Sequence, residues 1–234
     1  MLSVVIPTYN EEAYLGETLD ALVPQLGPGD EVVVVDSFSR DGTARIAEMH
    51  GARVRQTPRE GIGAGKGVGV REARSPIVAF LDADSVPAPD WIARIRDRFR
   101  SARTQAVAGL GLYRCQSRFR RWAYNAFARS VWSLGAAGYT TLRVPWLPVN
   151  NCAFRREAVL GLGGFRSVVC EDLEFAVRAR GLPGVVYDPA IRVFLSDRRF
   201  RSESFVRQVV AWAHADVRVL VGRPLAASDY GAPR

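Results

Sequence analysis

The 234-residue chain is 48% hydrophobic and 24% charged, which suits one large domain, or one domain with a small appendage. Three widely spaced cysteines (Cys115, Cys152, Cys170) without a Cys-x-x-Cys pair argue against a disulfide framework or structural zinc, and two histidines (His50, His214) against a His-rich metal centre or a His-based triad. The net charge of +8 calls for anionic partners, whether nucleic acid, an anionic membrane or a phosphorylated substrate, and does not choose among them.

Met1 to Pro7 lacks a basic start and a long apolar core, and no run reaches the roughly 18–20 apolar residues of a membrane span. With unpaired cysteines this predicts a reducing, cytoplasmic setting. Residues 2–6 read as a strand ended by Pro7-Thr8-Tyr9-Asn10. From 11 to 25, Ala13, Leu15, Leu19 and Leu22 fall near helical spacing, with Glu11 and Glu12 at the positive end. Residues 31–36 form a buried strand ending in Asp36. Asp41 or Thr43 caps a helix to about Met49, and Gly51 ends it. A short strand over 52–55 and a helix over 65–74 follow.

Residues 77–81 are continuously apolar and are bounded by Pro76 and by Ser85-Val86-Pro87, as in a strand buried on both faces. Asp82 and Asp84 come directly after. On an extended chain they lean to one side, repel each other, and suit Mg²⁺ or Mn²⁺ arriving with substrate phosphates. A solvated loop is the competing reading. The alternation β-α-β-α-β-α-β implies a parallel sheet with right-handed crossovers. Loops after parallel strands share one rim, so Tyr9, Asp36, Asp82 and Asp84 converge there. A ring to stack and a carboxylate to accept an N–H suit a nucleotide base, although each alone reads as a packing or turn residue.

Four blocks in order resemble the family 2 glycosyltransferases: residues 5–12, residues 33–43, Phe80-Leu81-Asp82-Ala83-Asp84, and 151–156 through Gly163-Gly164-Phe165 to Glu171-Asp172-Leu173-Glu174. The likeness covers roughly residues 2–200. It implies an α/β fold of GT-A type, with a mostly parallel, Rossmann-like central sheet flanked by helices and with acceptor-side C-terminal helices. It implies an enzyme of hexosyltransferase type, inverting, taking its sugar from a nucleotide-diphosphate donor. By the resemblance Pro7, Tyr9 and Glu11 hold base and ribose, and Asp36 takes a base N–H. Asp82 lies near ribose and metal, and Asp84 binds the Mn²⁺ or Mg²⁺ that bridges the diphosphate. Asn151 joins the substrate-binding set. Asp172 is the general base with Glu171 beside it, and Arg198 and Arg199 lie near the donor phosphates. On residues alone, Glu171 and Asp172 would be a solvated first helical turn. The pattern departs at Ser37, where many relatives carry an acid, and after residues 191–195, where some carry a metal-binding histidine.

Residues 61–67 nearly match a phosphate-binding loop, but Glu60 and Gly67 break it. A flexible lip to the donor pocket, with Lys66 near base or phosphate, fits better. Between 113 and 148, Arg114, Arg118, Arg120, Arg121, Arg129 and Arg143 interleave with Phe119, Trp122, Tyr124, Phe127, Trp132, Tyr139 and Trp146. This segment reads as a face for an anionic membrane that delivers a lipid-linked acceptor. A packed core and an oligomer interface, such as a homodimer, are the rivals. Residues 205–221 read as a covering helix.

Residues 1–112 thus form a donor half and 113–234 an acceptor half of one continuous domain. The acceptor is a polyprenyl phosphate or a glycan hydroxyl, and the setting is cytoplasmic, peripheral at the membrane. A nucleic-acid-binding domain would leave Asp36, Asp82 and Asp84 unexplained, so no nucleic acid is expected. A silent sugar-nucleotide-binding subunit is the other alternative.

Overall fold

The computed structural model describes residues 1–198 and 205–226. Its strands are β1 (Leu2–Thr8), β2 (Glu31–Asp36), β3 (Arg53–Gln56), β4 (Ile77–Phe80), β5 (Val86–Pro87), β6 (Ala106–Arg114), β7 (Cys152–Arg155) and β8 (Val185–Ser196). They form one sheet in the order β3-β2-β1-β4-β7-β6-β8-β5. β1 pairs in parallel with β2 and β4, β2 with β3, and β6 with β8. β7 runs antiparallel between β4 and β6, and β5 antiparallel to β8. The helices are α1 (Leu15–Leu22), α2 (Thr43–Met49), α3 (Ile62–Glu72), α4 (Trp91–Arg98), α5 (Arg118–Leu142), α6 (Arg156–Gly161), α7 (Glu171–Ala179) and α8 (Phe205–Leu220).

Side-chain alternation divides the core. Val4 and Ile6 enter one layer with Leu15, Leu19, Leu22, Trp91 and Ile95. Val5, Val33 and Val35 enter the other with Val70, Phe80, Phe154 and Phe175. The consecutive apolar residues 4–6 of β1 and 32–35 of β2 therefore feed both layers, as a covered parallel strand requires. In the second layer Phe165 stacks on Phe175 at 4.3 Å and meets Phe80 edge-on at 5.0 Å. Each such pair contributes roughly 0.5–1.5 kcal/mol beyond area burial. The ring cluster anchors the chain just before α7.

Three expectations are corrected. α1 starts at Leu15 rather than at residue 11. Asn10 adopts a left-handed φ of 53°, and the amides of Glu11 and Glu12 bond to Thr43 (2.8 Å) and Asp41 (3.2 Å), so this stretch is tied to the start of α2. α3 starts at Ile62, making most of the supposed glycine lip a packed helix. Asp82 and Asp84 lie in a turn, with the Ser85 amide donating to Asp82 O at 3.1 Å, so the extended-chain argument for a shared side does not apply.

Among the described residues no helix is long and apolar enough to cross a membrane. The aromatic segment divides. Trp132 donates to Gly109 O (2.8 Å), Tyr139 to Ala179 O (2.9 Å), and Trp146 stacks on Tyr187, so these rings pack against the body of the fold. Phe119 and Trp122, at the start of α5, are 75% and 68% exposed.

Candidate functional site

The ends of β1, β2 and β4 meet on one rim because those strands are parallel neighbours. Asp36 closes β2 and is fully buried. It accepts from Thr8 Oγ1 (3.1 Å), Ser39 Oγ (2.5 Å) and the Ser39 amide (3.0 Å). Three of the roughly four acceptor sites of this carboxylate are thus taken within the protein. Tyr9 stands half-buried at the same rim with the Arg59 guanidinium 3.9 Å from its ring centroid. Sequence reasoning missed Arg59. The available signal was its place just past β3, on the same rim as the other strand ends.

The β1 and β4 loops are joined by Arg198, which follows β8. Its fork donates to both Glu11 oxygens at 2.7 Å, its Nε lies 2.7 Å from Asp84 Oδ2, and its plane covers the Tyr14 ring. Beside this clasp opens a cavity of about 640 Å³ lined by Tyr14, Asp84, Arg114, Arg121, Phe194 and Arg198. Arg114 pairs with Glu17 there (2.5 and 2.7 Å) and is held above its usual pKa by that carboxylate, with a contribution from Asp84. A shallower groove of about 460 Å³ along α5 shares Arg121 and Asn125 with the cavity.

The second cluster stands at α7. Cys170 takes a left-handed φ of 57° and turns the chain so that Glu171 and Asp172 open the helix. Lys66 of α3 donates to Glu171 Oε1 (2.8 Å) and Asp172 Oδ1 (2.6 Å). Burial, with the charges of Glu171 and Asp82, pushes Asp172 up to about 7 against the pull of Lys66. Burial alone would discharge Lys66, but Asp172, Glu171 and Asp82 outweigh it and raise its pKa. Asp82, at the end of β4, therefore acts electrostatically on both partners.

Besides Lys66, one further expected substrate residue is engaged within the protein. Asn151 is buried among β6, β8 and α4: its Oδ1 accepts from Trp91 Nε1 (2.8 Å), and its Nδ2 donates to Leu110 O and Ile191 O (3.2 and 3.1 Å). With donor and acceptor both engaged it braces strands rather than meeting a ligand. Arg199 lies outside the described residues. Pro7 sits at the rim against α3, where an added Gly65 Cβ would stand 3.0 Å from it.

A divalent cation can be tested against these donors. Asp82 and Asp84 offer hard carboxylate oxygens, and no group of three or more His, Cys, Asp or Glu able to hold a metal occurs among the described residues. That set fits a cation bound through one or two carboxylates and completed by substrate phosphates.

The chain matches the family model "Glycosyl transferase family 2" over residues 3–162. It is 36% identical over 191 residues to an uncharacterised glycosyltransferase of Mycobacterium tuberculosis, covering 76% of this chain and 78% of that one. It is 36% identical over 132 residues to the undecaprenyl-phosphate 4-deoxy-4-formamido-L-arabinose transferase of Pseudomonas aeruginosa, covering 52% of this chain and 39% of that longer one. Among solved structures it resembles the glucosyl-3-phosphoglycerate synthase of M. tuberculosis in complex with Mn²⁺, UDP and glucosyl-3-phosphoglycerate. The TM-score is 0.66 at 22% identity, over 95% of this chain and 79% of that one. At that identity the likeness bears on fold, and the fold is GT-A.

Proposed function

The chain belongs to glycosyl transferase family 2 and is a glycosyltransferase; from that premise we propose that it moves a sugar from a nucleotide-diphosphate donor on the β1–β2–β4 rim to an acceptor hydroxyl near Asp172. One observation carries this reading. The Glu11–Arg198–Asp84 clasp and the Lys66–Glu171–Asp172 cluster are separate charge centres, and Asp82 acts electrostatically on the second from the strand end beside the first.

In this reading residues 1–112 hold the donor and 113–234 serve the acceptor. Pro7, Tyr9, Glu11 and Asp36 hold base and ribose, with Asp82 near the ribose. Mn²⁺ or Mg²⁺, held by Asp84 and Asp82, would supply charge neutralisation at the diphosphate. Arg198 changes partners, leaving Glu11 and Asp84 for phosphate oxygens, which its fork suits. The acceptor hydroxyl oxygen bonds to the anomeric carbon while the carbon–oxygen bond to the diphosphate breaks. The electron pair leaves on the nucleoside diphosphate, and the hydroxyl proton passes to Asp172. A single displacement inverts the anomeric centre. Related structures support donor and metal: the synthase named above was crystallised with UDP and Mn²⁺.

The test is a panel of UDP-, GDP- and dTDP-sugars titrated with and without Mn²⁺, followed by transfer assays. Manganese-dependent binding of one donor and its turnover supports the proposal. Binding of no donor, or binding indifferent to Mn²⁺, overturns it.

A polyprenyl phosphate acceptor is the second reading. No carboxylate occurs between Asp97 and Glu157, and Arg118, Arg121, Arg129 and exposed Trp122 line the groove that adjoins the larger cavity. That face suits an anionic membrane surface and a phosphate headgroup. A phosphate oxygen is already anionic, so transfer to it would be nearly indifferent to Asp172→Asn, whereas hydroxyl transfer would collapse.

A further inference from the structure

The glycine-rich stretch of α3 has a role that donor binding does not explain. Its buried glycines fall in two stripes on the helix, Gly65 with Gly69 and Gly63 with Gly67. A Cβ at Gly69 would stand 2.2 Å from Val5 Cγ1, and one at Gly65 3.0 Å from Pro7 Cβ, so the first stripe lies against β1. A Cβ at Gly63 would stand 2.0 Å from Arg166 O, and one at Gly67 3.3 Å from Phe165 O, so the second lies against the segment that leads into α7. Lys66 projects between the stripes, toward the start of α7. Its side chain is 2% exposed, yet it reaches both carboxylates that open α7.

We propose that Lys66 is a positioning residue for the acceptor-side base. It fixes Asp172 Oδ1 and the neighbouring Glu171, while the Asp172 side chain as a whole stays 35% exposed and accessible to an acceptor. Carboxylate pairs at a helix start ordinarily splay into solvent. One buried ammonium bridging both sets the rotamer of each. A lysine so buried must be paired, but pairing for stability alone would not require one of its partners to stay 35% exposed. The glycines make the reach possible, since any larger side chain would push α3 away from α7. The inference rests on Asp172 being the base that deprotonates a hydroxyl acceptor.

The experiment is a kinetic double-mutant cycle on the full chain with the donor and hydroxyl acceptor found above, using Lys66→Met, Lys66→Arg, Asp172→Asn and their combinations. Lys66→Met should lower kcat by about tenfold or more with donor KM within about twofold, because the lost interaction matters in the transition state rather than in donor binding. Lys66→Arg should fall between Met and wild type. In the Asp172→Asn background either substitution should change kcat by less than about twofold. Losses that multiply across the pair, or a donor KM that rises in step with the fall in kcat, overturn the inference. If Lys66→Met fails to fold, the cycle with Lys66→Arg decides the same question, since that variant keeps the charge. Asp172→Asn with wild-type kcat overturns the base assignment instead, a result distinct from additivity at Lys66.

Discussion

Asp172 opens a helix whose dipole favours the anion, yet burial and the charges of Glu171 and Asp82 raise its pKa to about 7. As a base it works unprotonated, so hydroxyl transfer should rise with pH through about 7 and level off above it. Asp172→Asn should lower kcat roughly 10²–10⁴-fold and abolish that rise, as initial rates from pH 5 to about 9 would show. For stability the sign is opposite. The folded chain binds this proton more tightly than the unfolded one, so the group's contribution falls as pH rises from the usual carboxylate range to about 7. Asp84→Ala should leave the fold intact, since it removes a partly exposed carboxylate, and should remove the manganese dependence of donor binding. Calorimetry giving wild-type affinity and metal dependence would rule Asp84 out as a ligand. Some of this was legible in residues and some was not. That Asp36, Asp82 and Asp84 share a rim was legible because they follow strands that are parallel neighbours. Asn151 was misassigned because sequence gives its neighbourhood in the chain, whereas its role comes from Trp91, Leu110 and Ile191 on three other elements.

At the scale of elements, α3 shows why periodicity finds strands more readily than packed glycine helices. β1, β2 and β4 announce themselves by unbroken apolar runs. α3 begins in a stretch whose intrinsic helix propensity is low, and its backbone is held by close contact with β1 and residues 165–166. Gly69→Ala should therefore destabilise the fold, contrary to propensity, by roughly 1–3 kcal/mol through overpacking on Val5. Urea denaturation would measure it, and a stabilised variant would mean that α3 has room to move. α5 is the other divided case. Its later aromatics pack on the fold, whereas Phe119 and Trp122 stand exposed near Arg118 and Arg121. Wild-type protein should float with anionic liposomes at low salt and lose them as salt rises. Trp122→Ala with Arg121→Ala should weaken partitioning about fivefold or more, given about 1 kcal/mol per basic residue near such a surface. Indifference of the wild type to anionic vesicles would leave a soluble acceptor as the better reading.

Across the whole molecule, the alternation of strands and helices up to β4 was enough to place the rim at the ends of β1, β2 and β4, because consecutive parallel strands allow few arrangements. Beyond Phe80 the sheet is no longer built of parallel strands joined by successive crossovers. β7 enters antiparallel between β4 and β6, and β8 pairs in parallel with β6, across the boundary drawn at residue 112. No local pattern announces such pairings, since they depend on contacts between distant segments. The insertion of β7 also bears on how the chain is made. The edge of β4 is complete at Phe80, but its partner over Cys152–Arg155 is synthesised only well past the middle of the chain. At roughly 5–20 residues per second on the ribosome, the nascent sheet presents an open, apolar hydrogen-bonding edge for several seconds. Ribosome-bound chains stalled before Cys152 should therefore recruit chaperones and stay protease-sensitive through β4, and chains long enough to expose β7 and β8 should close that edge.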